Sequence, residues 1–312
     1  MVKYVHMKNS IIALIVIIIL GIGGYIFYQN SVTEVIVLPK VEDTVVPTPP
    51  VTEDTQTPKV EEQIDTTKTV IGTSVENRDI TAYHYGTGDE ELLFVGGIHG
   101  GYEWNTVLVA YELMDYLEKD PTVIPKNLKI TVIPVLNPDG LNKTVGTAGR
   151  FTKADVPTVR EQTIPGRFNA NTVDLNRNFD CDWQAKGTWQ NANVSGGTNA
   201  FSEPESQAIE KYVDAHELTA VVVWYSSAGG VFASNCHNGV SEETQLLTSI
   251  YAKASGYPAY KSFDFYTITG DMVNWLAKKN IPAISVLLTT HTDTEWSKNK
   301  AGIEAVFKQY AK

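Results

Sequence analysis

The chain has 312 residues, 43% of them hydrophobic and 20% charged, and Asp plus Glu outnumber Lys plus Arg by 36 to 25. That composition excludes a wholly disordered protein and suits one large domain with an ordinary core plus appendages. The net charge of −11 gives no footing for nucleic acid as a partner.

In chain order, the first feature is the uncharged run from Ile11 to Tyr28, rich in Ile, Leu, Val and Gly. It has the length a helix needs to cross ~30 Å of hydrocarbon. Lys3 and Lys8 precede it, and positive residues stay on the cytoplasmic side, so the remainder is expected outside. The region Gly21 to Asn30 lacks a clear small-residue cleavage site, which favours an uncleaved anchor over a signal peptide. Residues 1–30 are therefore read as a single-pass helix making the membrane a partner, with a cell-membrane location and an extracytoplasmic C-terminal part.

From 31 to 67 the composition turns to Thr, Pro, Glu, Asp and Val. Pro39, Pro47, Pro49, Pro50 and Pro58 keep it extended. Glu34, Glu42, Asp43, Glu53, Asp54, Glu61, Glu62 and Asp65 repel one another against only Lys40 and Lys59, with Lys68 just beyond. Such a stretch cannot build a core and is read as a semi-stiff tether.

The segment 68–312 alternates buried strand patterns with helical ones. Apolar runs at 91–97, 128–135, 219–225 and 283–288 read as strands buried on both faces. Helical spacing of apolar residues occupies 104–118, 203–216, 242–254, 271–279 and 296–310. The alternation predicts an α/β sandwich that binds ligands beyond the C-terminal ends of its strands. Cys181 and Cys236 are the only cysteines, and outside the cytoplasm they are expected to be joined.

Several motifs fall at those strand ends. His99-Gly-Gly-Tyr-Glu103 places an imidazole and a carboxylate, both suitable zinc donors, on a glycine-rich turn before a helix. Asn137-Pro-Asp-Gly140 is a preferred type I turn sequence. Asp174-Leu-Asn-Arg-Asn-Phe179 offers an amide and a guanidinium that together suit a carboxylate, although Asp174 and Arg177 pairing with each other is the structural alternative. Tyr266-Thr-Ile-Thr-Gly-Asp-Met-Val-Asn-Trp275 follows further on.

Together these motifs resemble the zinc carboxypeptidase family of carboxypeptidase A-like metallopeptidases, over roughly Lys68 to Lys312. The resemblance implies a three-layer α/β/α sandwich with a mixed central sheet. It implies His99 and Glu103 as metal ligands, with one residue more between them than the family has. Arg150 is implied as the oxyanion-stabilising catalytic residue, with Arg160 and Arg167 as rivals. Asn176 and Arg177 are implied as the grip on a substrate carboxylate, Tyr266 as the mobile tyrosine, and Val273 as a lining residue of an apolar terminal-residue pocket.

The same resemblance marks two losses. The family's third zinc ligand is a histidine in a His-Ser motif, where this chain has Tyr225 and Ser226 in Val221-Val-Val-Trp-Tyr-Ser-Ser-Ala228. Its catalytic glutamate falls on Leu287 or Leu288 in Ser285-Val-Leu-Leu-Thr-Thr-His291. Neutral hydroxyls are poor zinc donors, and leucine cannot take a proton. The expectation is a domain that binds peptide or cell-wall peptide C-termini, with zinc weak or absent and hydrolysis impaired. The alternative is an active metallocarboxypeptidase using His237 as ligand and Glu295 or His291 as base.

Overall fold

Ten strands and six helices alternate through residues 67–312, the part of the chain that the computed structural model describes. The anchor and tether expected at 1–30 and 31–67 lie outside the described residues but for Thr67. Among the described residues no helix is long and apolar enough to cross a membrane.

The strands are β1 (Lys68–Thr73), β2 (Asp79–Tyr85), β3 (Glu90–Val95), β4 (Leu128–Ile133), β5 (Lys186–Trp189), β6 (Ala192–Ser195), β7 (Leu218–Ser226), β8 (Gly230–Ala233), β9 (Ala259–Tyr260) and β10 (Ala283–Leu288). The helices are α1 (Trp104–Lys119), α2 (Pro138–Val145), α3 (Pro204–Ala215), α4 (Glu242–Ser255), α5 (Met272–Lys278) and α6 (Trp296–Tyr310). Eight strands form one mixed sheet in the order β1-β2-β4-β3-β7-β10-β8-β9, and β5 with β6 makes a separate hairpin. The centre, β4-β3-β7-β10, is parallel, and these four strands are the apolar runs read from the sequence.

Alternation along those strands builds the two faces. Leu92, Phe94, Val222, Trp224, Val286 and Leu288 pack with α1, α4 and α6. Leu93, Val95, Val221, Val223, Tyr225 and Leu287 pack with α3 and α5. The result is the expected α/β/α sandwich. The expected Cys181–Cys236 disulfide is present, with Cα atoms 6.1 Å apart.

The motif Asn137-Pro-Asp-Gly140 differs from the isolated turn expected of it. The Asn137 side chain accepts from Gly140 N at 2.8 Å and Pro138 takes the first helical position, so the motif starts α2. Proline there sacrifices no intrahelical bond, and asparagine is a strong N-cap. The helix ends at Gly146, whose φ of 77° suits a residue without Cβ.

Candidate functional site

A cleft of about 390 Å³ opens at the C-terminal ends of the parallel strands. His99, Glu103, Asn176, Arg177, Tyr266 and Val273 all line it. Arg150 does not. It pairs with Asp115 at 2.7 Å and lies over the Tyr111 ring at 4.6 Å, with half of its side chain exposed. Residues 153–167 run through three short 3-10 turns that carry the chain back toward the strand ends, and Arg167 enters the cleft instead. Of the three arginines weighed for the oxyanion role, it is the rival Arg167, and not Arg150, that the path of the chain brings into the cleft lining.

Arg167 is buried and meets Asp174 by two hydrogen bonds, from Nε at 2.9 Å and Nη2 at 2.7 Å. Asp174 therefore pairs with Arg167, and Arg177 is not its partner. Burial would raise the Asp174 carboxyl, but the charges of Arg167, His99 and Arg177 outweigh it and hold the group well below the usual carboxylate range. Asp174 Oδ1 also stands 3.2 Å from His99 Nε2. The other ring nitrogen, Nδ1, lies 2.9 Å from Glu103 Oε1.

Arg177 is braced rather than free. Its Nε and Nη2 donate to the Thr188 carbonyl at 3.1 and 2.7 Å, and Nη1 donates to the Asn176 carbonyl at 2.6 Å. A guanidinium has five N–H groups, so donors remain for a ligand. Gly187 lets the β5–β6 hairpin lie on this arginine, since a Cβ there would come within 2.7 Å of Arg177 Cδ. Asn176 is also largely committed. Its amide donates to Asp271 Oδ2 at 2.9 Å, and its carbonyl accepts from the Tyr225 hydroxyl and Met272 N, which leaves one amide N–H for a ligand. Tyr266 sits half-buried with its ring 5.9 Å from the Arg177 guanidinium carbon.

The sequence reading missed Trp189. It stacks 4.5 Å from the Arg167 guanidinium carbon and meets Tyr102 edge-on at 5.1 Å. Gly187 within a short hairpin was the available signal, but four-residue strands carry too little periodicity to reveal it.

On the opposite wall, β7 and β10 pair in register with Leu287 beside Tyr225 and Leu288 beside Ser226. Leu287 faces the cleft, while Leu288 packs on the other side of the sheet. Leu287 is therefore the residue at the cleft-facing position of β10. Tyr225 is 5% exposed. Burial, with Asp271 and Glu103 adding, pushes its hydroxyl well above the ordinary value.

Of the substitute groups, the expected ligand His237 and the expected base Glu295 lie outside the cleft lining, and the other expected base, His291, is engaged at both ring nitrogens. His237 is exposed and pairs with Asp182 at 2.8 Å, away from the cleft lining. Glu295 accepts from Thr289 N and Oγ1, Lys298 Nζ and the Tyr257 hydroxyl, also away from that lining. His291 does line the cleft. Arg160, which can only donate, faces its Nε2 at 3.0 Å. Nδ1 then carries the ring proton and donates to Ser226 Oγ at 3.0 Å, which in turn donates to Asn105 Oδ1 at 3.0 Å. Both imidazole nitrogens are spent.

This fold and cleft define the class. Residues 59–307 match the family model for zinc carboxypeptidases, and the chain belongs to that family. Metallocarboxypeptidase A of Arthroderma otae is 30% identical over 234 residues, covering 65% of this chain and 53% of that one. The carboxypeptidase N catalytic chain of Homo sapiens is 26% identical over 208 residues, covering 62% and 40%. The chain spans about half the length of the curated relatives it matches, 53% for the fungal protein. Among solved structures, carboxypeptidase A of Helicoverpa armigera is similar in fold, with a TM-score of 0.61, 19% identity, and coverage of 77% of this chain and 66% of that one. Murein-tripeptide amidase of Escherichia coli O157 superposes with a TM-score of 0.54 at 19% identity, covering 78% and 93%.

The family implies zinc, and a catalytic zinc takes three protein donors and a water. The described residues bring no group of three or more His, Cys, Asp or Glu together for a metal. His99 and Glu103 supply two donors, and the neighbouring strand end supplies Tyr225, whose hydroxyl is committed to Asn176. This residue set does not fit a catalytic zinc.

Proposed function

We propose that the domain binds peptide C-termini, from cell-wall peptides or proteins, and hydrolyses them weakly or not at all, while residues 1–30 hold it at the outer face of a membrane. One observation carries the reading: the cleft pairs a braced guanidinium at Arg177 with an apolar Leu287 in register beside Tyr225. The carboxylate grip is kept, and the groups that would activate water are not. Val273, Phe232 and Phe263 in the lining favour an apolar terminal side chain. The membrane part of the proposal rests on the uncharged run Ile11 to Tyr28 and its flanking lysines.

Similarity to proteins named metallocarboxypeptidase favours a second reading, an active zinc carboxypeptidase. It requires a third ligand and a base that His237, Glu295 and His291 are not placed to supply.

Calorimetric titration of the full chain with a peptide ending in a free carboxylate, and with the same peptide amidated, tests the proposal. The acid should bind at least about tenfold more tightly, as losing a charge-assisted hydrogen bond costs roughly 1.5–3 kcal/mol. Equal affinities would refute it.

A further inference from the structure

Ser285 is a polar residue on the central strand β10, 7% exposed and part of the cleft lining. Alternation puts it on the same face as Ala283 and Leu287, both of which belong to the core on the cleft side of the sheet. Among the described residues its hydroxyl has no hydrogen-bond partner. Polar groups buried to this degree are ordinarily paired, so an open hydroxyl here is a group left for a ligand.

A second open polar group comes from α5, whose Val273 and Asn274 both line the cleft. Asn274 Oδ1 accepts from Asn235 N at 2.9 Å. That contact lies just past the end of β8, the strand that sets Phe232 in register beside Ser285. The Asn274 amide nitrogen has no partner among the described residues and keeps its N–H donors. Around these two groups the lining is apolar, with Phe232, Ala233, Phe263, Ile268 and Val273.

Depth and chemistry together select what fits. The cleft opens at the C-terminal end of β10, and Ser285 precedes Leu287 by two residues, which at the rise of a strand sets it ~7 Å deeper. A terminal side chain whose carboxylate is held at Arg177 has to carry a polar tip over that depth between apolar walls. Serine and threonine are too short. Glutamine covers aromatic walls poorly and loses more rotamer freedom. Neither Ser285 nor Asn274 offers a countercharge to a lysine or glutamate tip. A phenol is a rigid apolar ring with its hydroxyl at the far end, and that hydroxyl can accept from Asn274 Nδ2 and donate to Ser285 Oγ at once.

We propose that Ser285, with Asn274, forms a hydrogen-bonding floor in the terminal side-chain pocket and makes the cleft selective for peptides ending in tyrosine over those ending in phenylalanine. This rests on the carboxylate-binding reading and adds a distinction the apolar walls cannot make, since Phe232, Phe263 and Val273 treat the two rings alike.

The test is calorimetric titration of the full chain with N-acetylated dipeptides ending in tyrosine, phenylalanine and glutamine, each as acid and as amide. The tyrosine acid should bind at least about fivefold more tightly than the phenylalanine acid, the factor for one net hydrogen bond. Ser285→Ala should cut that preference to about twofold or less and leave the phenylalanine acid unchanged, whereas loss of a merely structural serine would move both peptides together. Asn274→Asp keeps the acceptor for Asn235 N and removes the donors, and it should lower the tyrosine preference as well, which decides the matter where Ser285→Ala fails to fold. Equal or tighter binding of the phenylalanine acid would overturn the proposal, as would a glutamine acid that outbinds the tyrosine one or a preference that survives Ser285→Ala in full. If acid and amide bind alike while the tyrosine preference stands, the carboxylate reading falls alone. If the acids outbind the amides and the tyrosine and phenylalanine acids are equal, the polar floor falls alone. No measurable binding of any of these peptides at millimolar concentration would overturn both.

Discussion

The two walls of the cleft differ in chemistry. One wall, formed by the loop 174–177 and the β5–β6 hairpin, keeps a dense polar lattice in which Arg167, Asp174, Arg177 and Asn176 are all buried and bonded. The other, formed by the ends of β7 and β10, presents Tyr225 and Leu287 and closes behind them with the satisfied chain Arg160–His291–Ser226–Asn105. Gripping a carboxylate needs fixed donors, and the first wall supplies them. Activating water needs a metal with open coordination and a base, and the second wall offers neither. On the proposed reading, binding and catalysis draw on different elements, so a cleft of this kind can carry the first without the second.

The largest expected effect concerns the second wall. The unaltered chain should release C-terminal residues far below the ordinary enzymatic rate of about 1 s⁻¹. Leu287→Glu or Tyr225→His alone should change this little, because metal, water and base act as a unit. The two together should raise zinc-dependent turnover, as residues 225 and 287 are register neighbours. Chelator-sensitive turnover near 1 s⁻¹ in the unaltered chain would erase the contrast between the walls.

The His291 network should show itself in stability. Burial pushes this imidazole down to about 4, Arg160 and Arg167 adding to it and Glu103 opposing. The folded value lies below the unfolded one of about 6.5. The stabilisation is therefore complete above pH 6.5 and is lost as pH falls toward 4, by up to about 3 kcal/mol. Denaturant titrations across that range should show the loss, and His291→Gln should flatten it. An unaltered slope in the variant would mean that another group carries the pH dependence.

Arg177→Ala sharpens the first wall. It should weaken binding of a peptide acid by roughly 1.5–3 kcal/mol and leave the amide almost unaffected. Stability should fall as well, because the Thr188 and Asn176 carbonyls lose their donors. A loss of equal size for acid and amide would assign Arg177 to the scaffold.

How much of this was legible in the sequence follows from the same division. β10 at 283–288 and α6 at 296–310 were read with their observed limits, because long or fully buried elements impose their periodicity on the residues. The strands β1, β2, β8 and β9 and the hairpin were not read, since strands that are very short or of mixed burial leave little period to detect. Motif residues such as His99 and Arg177 were found because their chemistry sits in consecutive sequence. Arg167 and Trp189 could be placed only once the path of residues 146–195 was known, and Asp174's true partner depended on that same path. The missing groups at 225 and 287 were visible as departures from a resemblance, while the sheet register put them side by side.

The smallest effect expected is at Trp189, and it separates a wall built for binding from one that merely folds. The indole stacks on the Arg167 guanidinium at 4.5 Å and meets Tyr102 edge-on, while the preceding carbonyl, at Thr188, holds Arg177. Trp189→Ala removes the stacking and loosens the hairpin over both guanidiniums, yet the hairpin is peripheral and most of its residues are at least partly exposed. Global stability should therefore change little. Preference for a peptide acid over its amide should drop by about 0.5–2 kcal/mol, the range for a cation–π contact. Trp189→Phe should restore most of it, because a smaller ring still faces the guanidinium. If Trp189→Ala lowers stability and leaves the preference intact, the hairpin is scaffold, and the polar wall owes its order to the loop 174–177 alone.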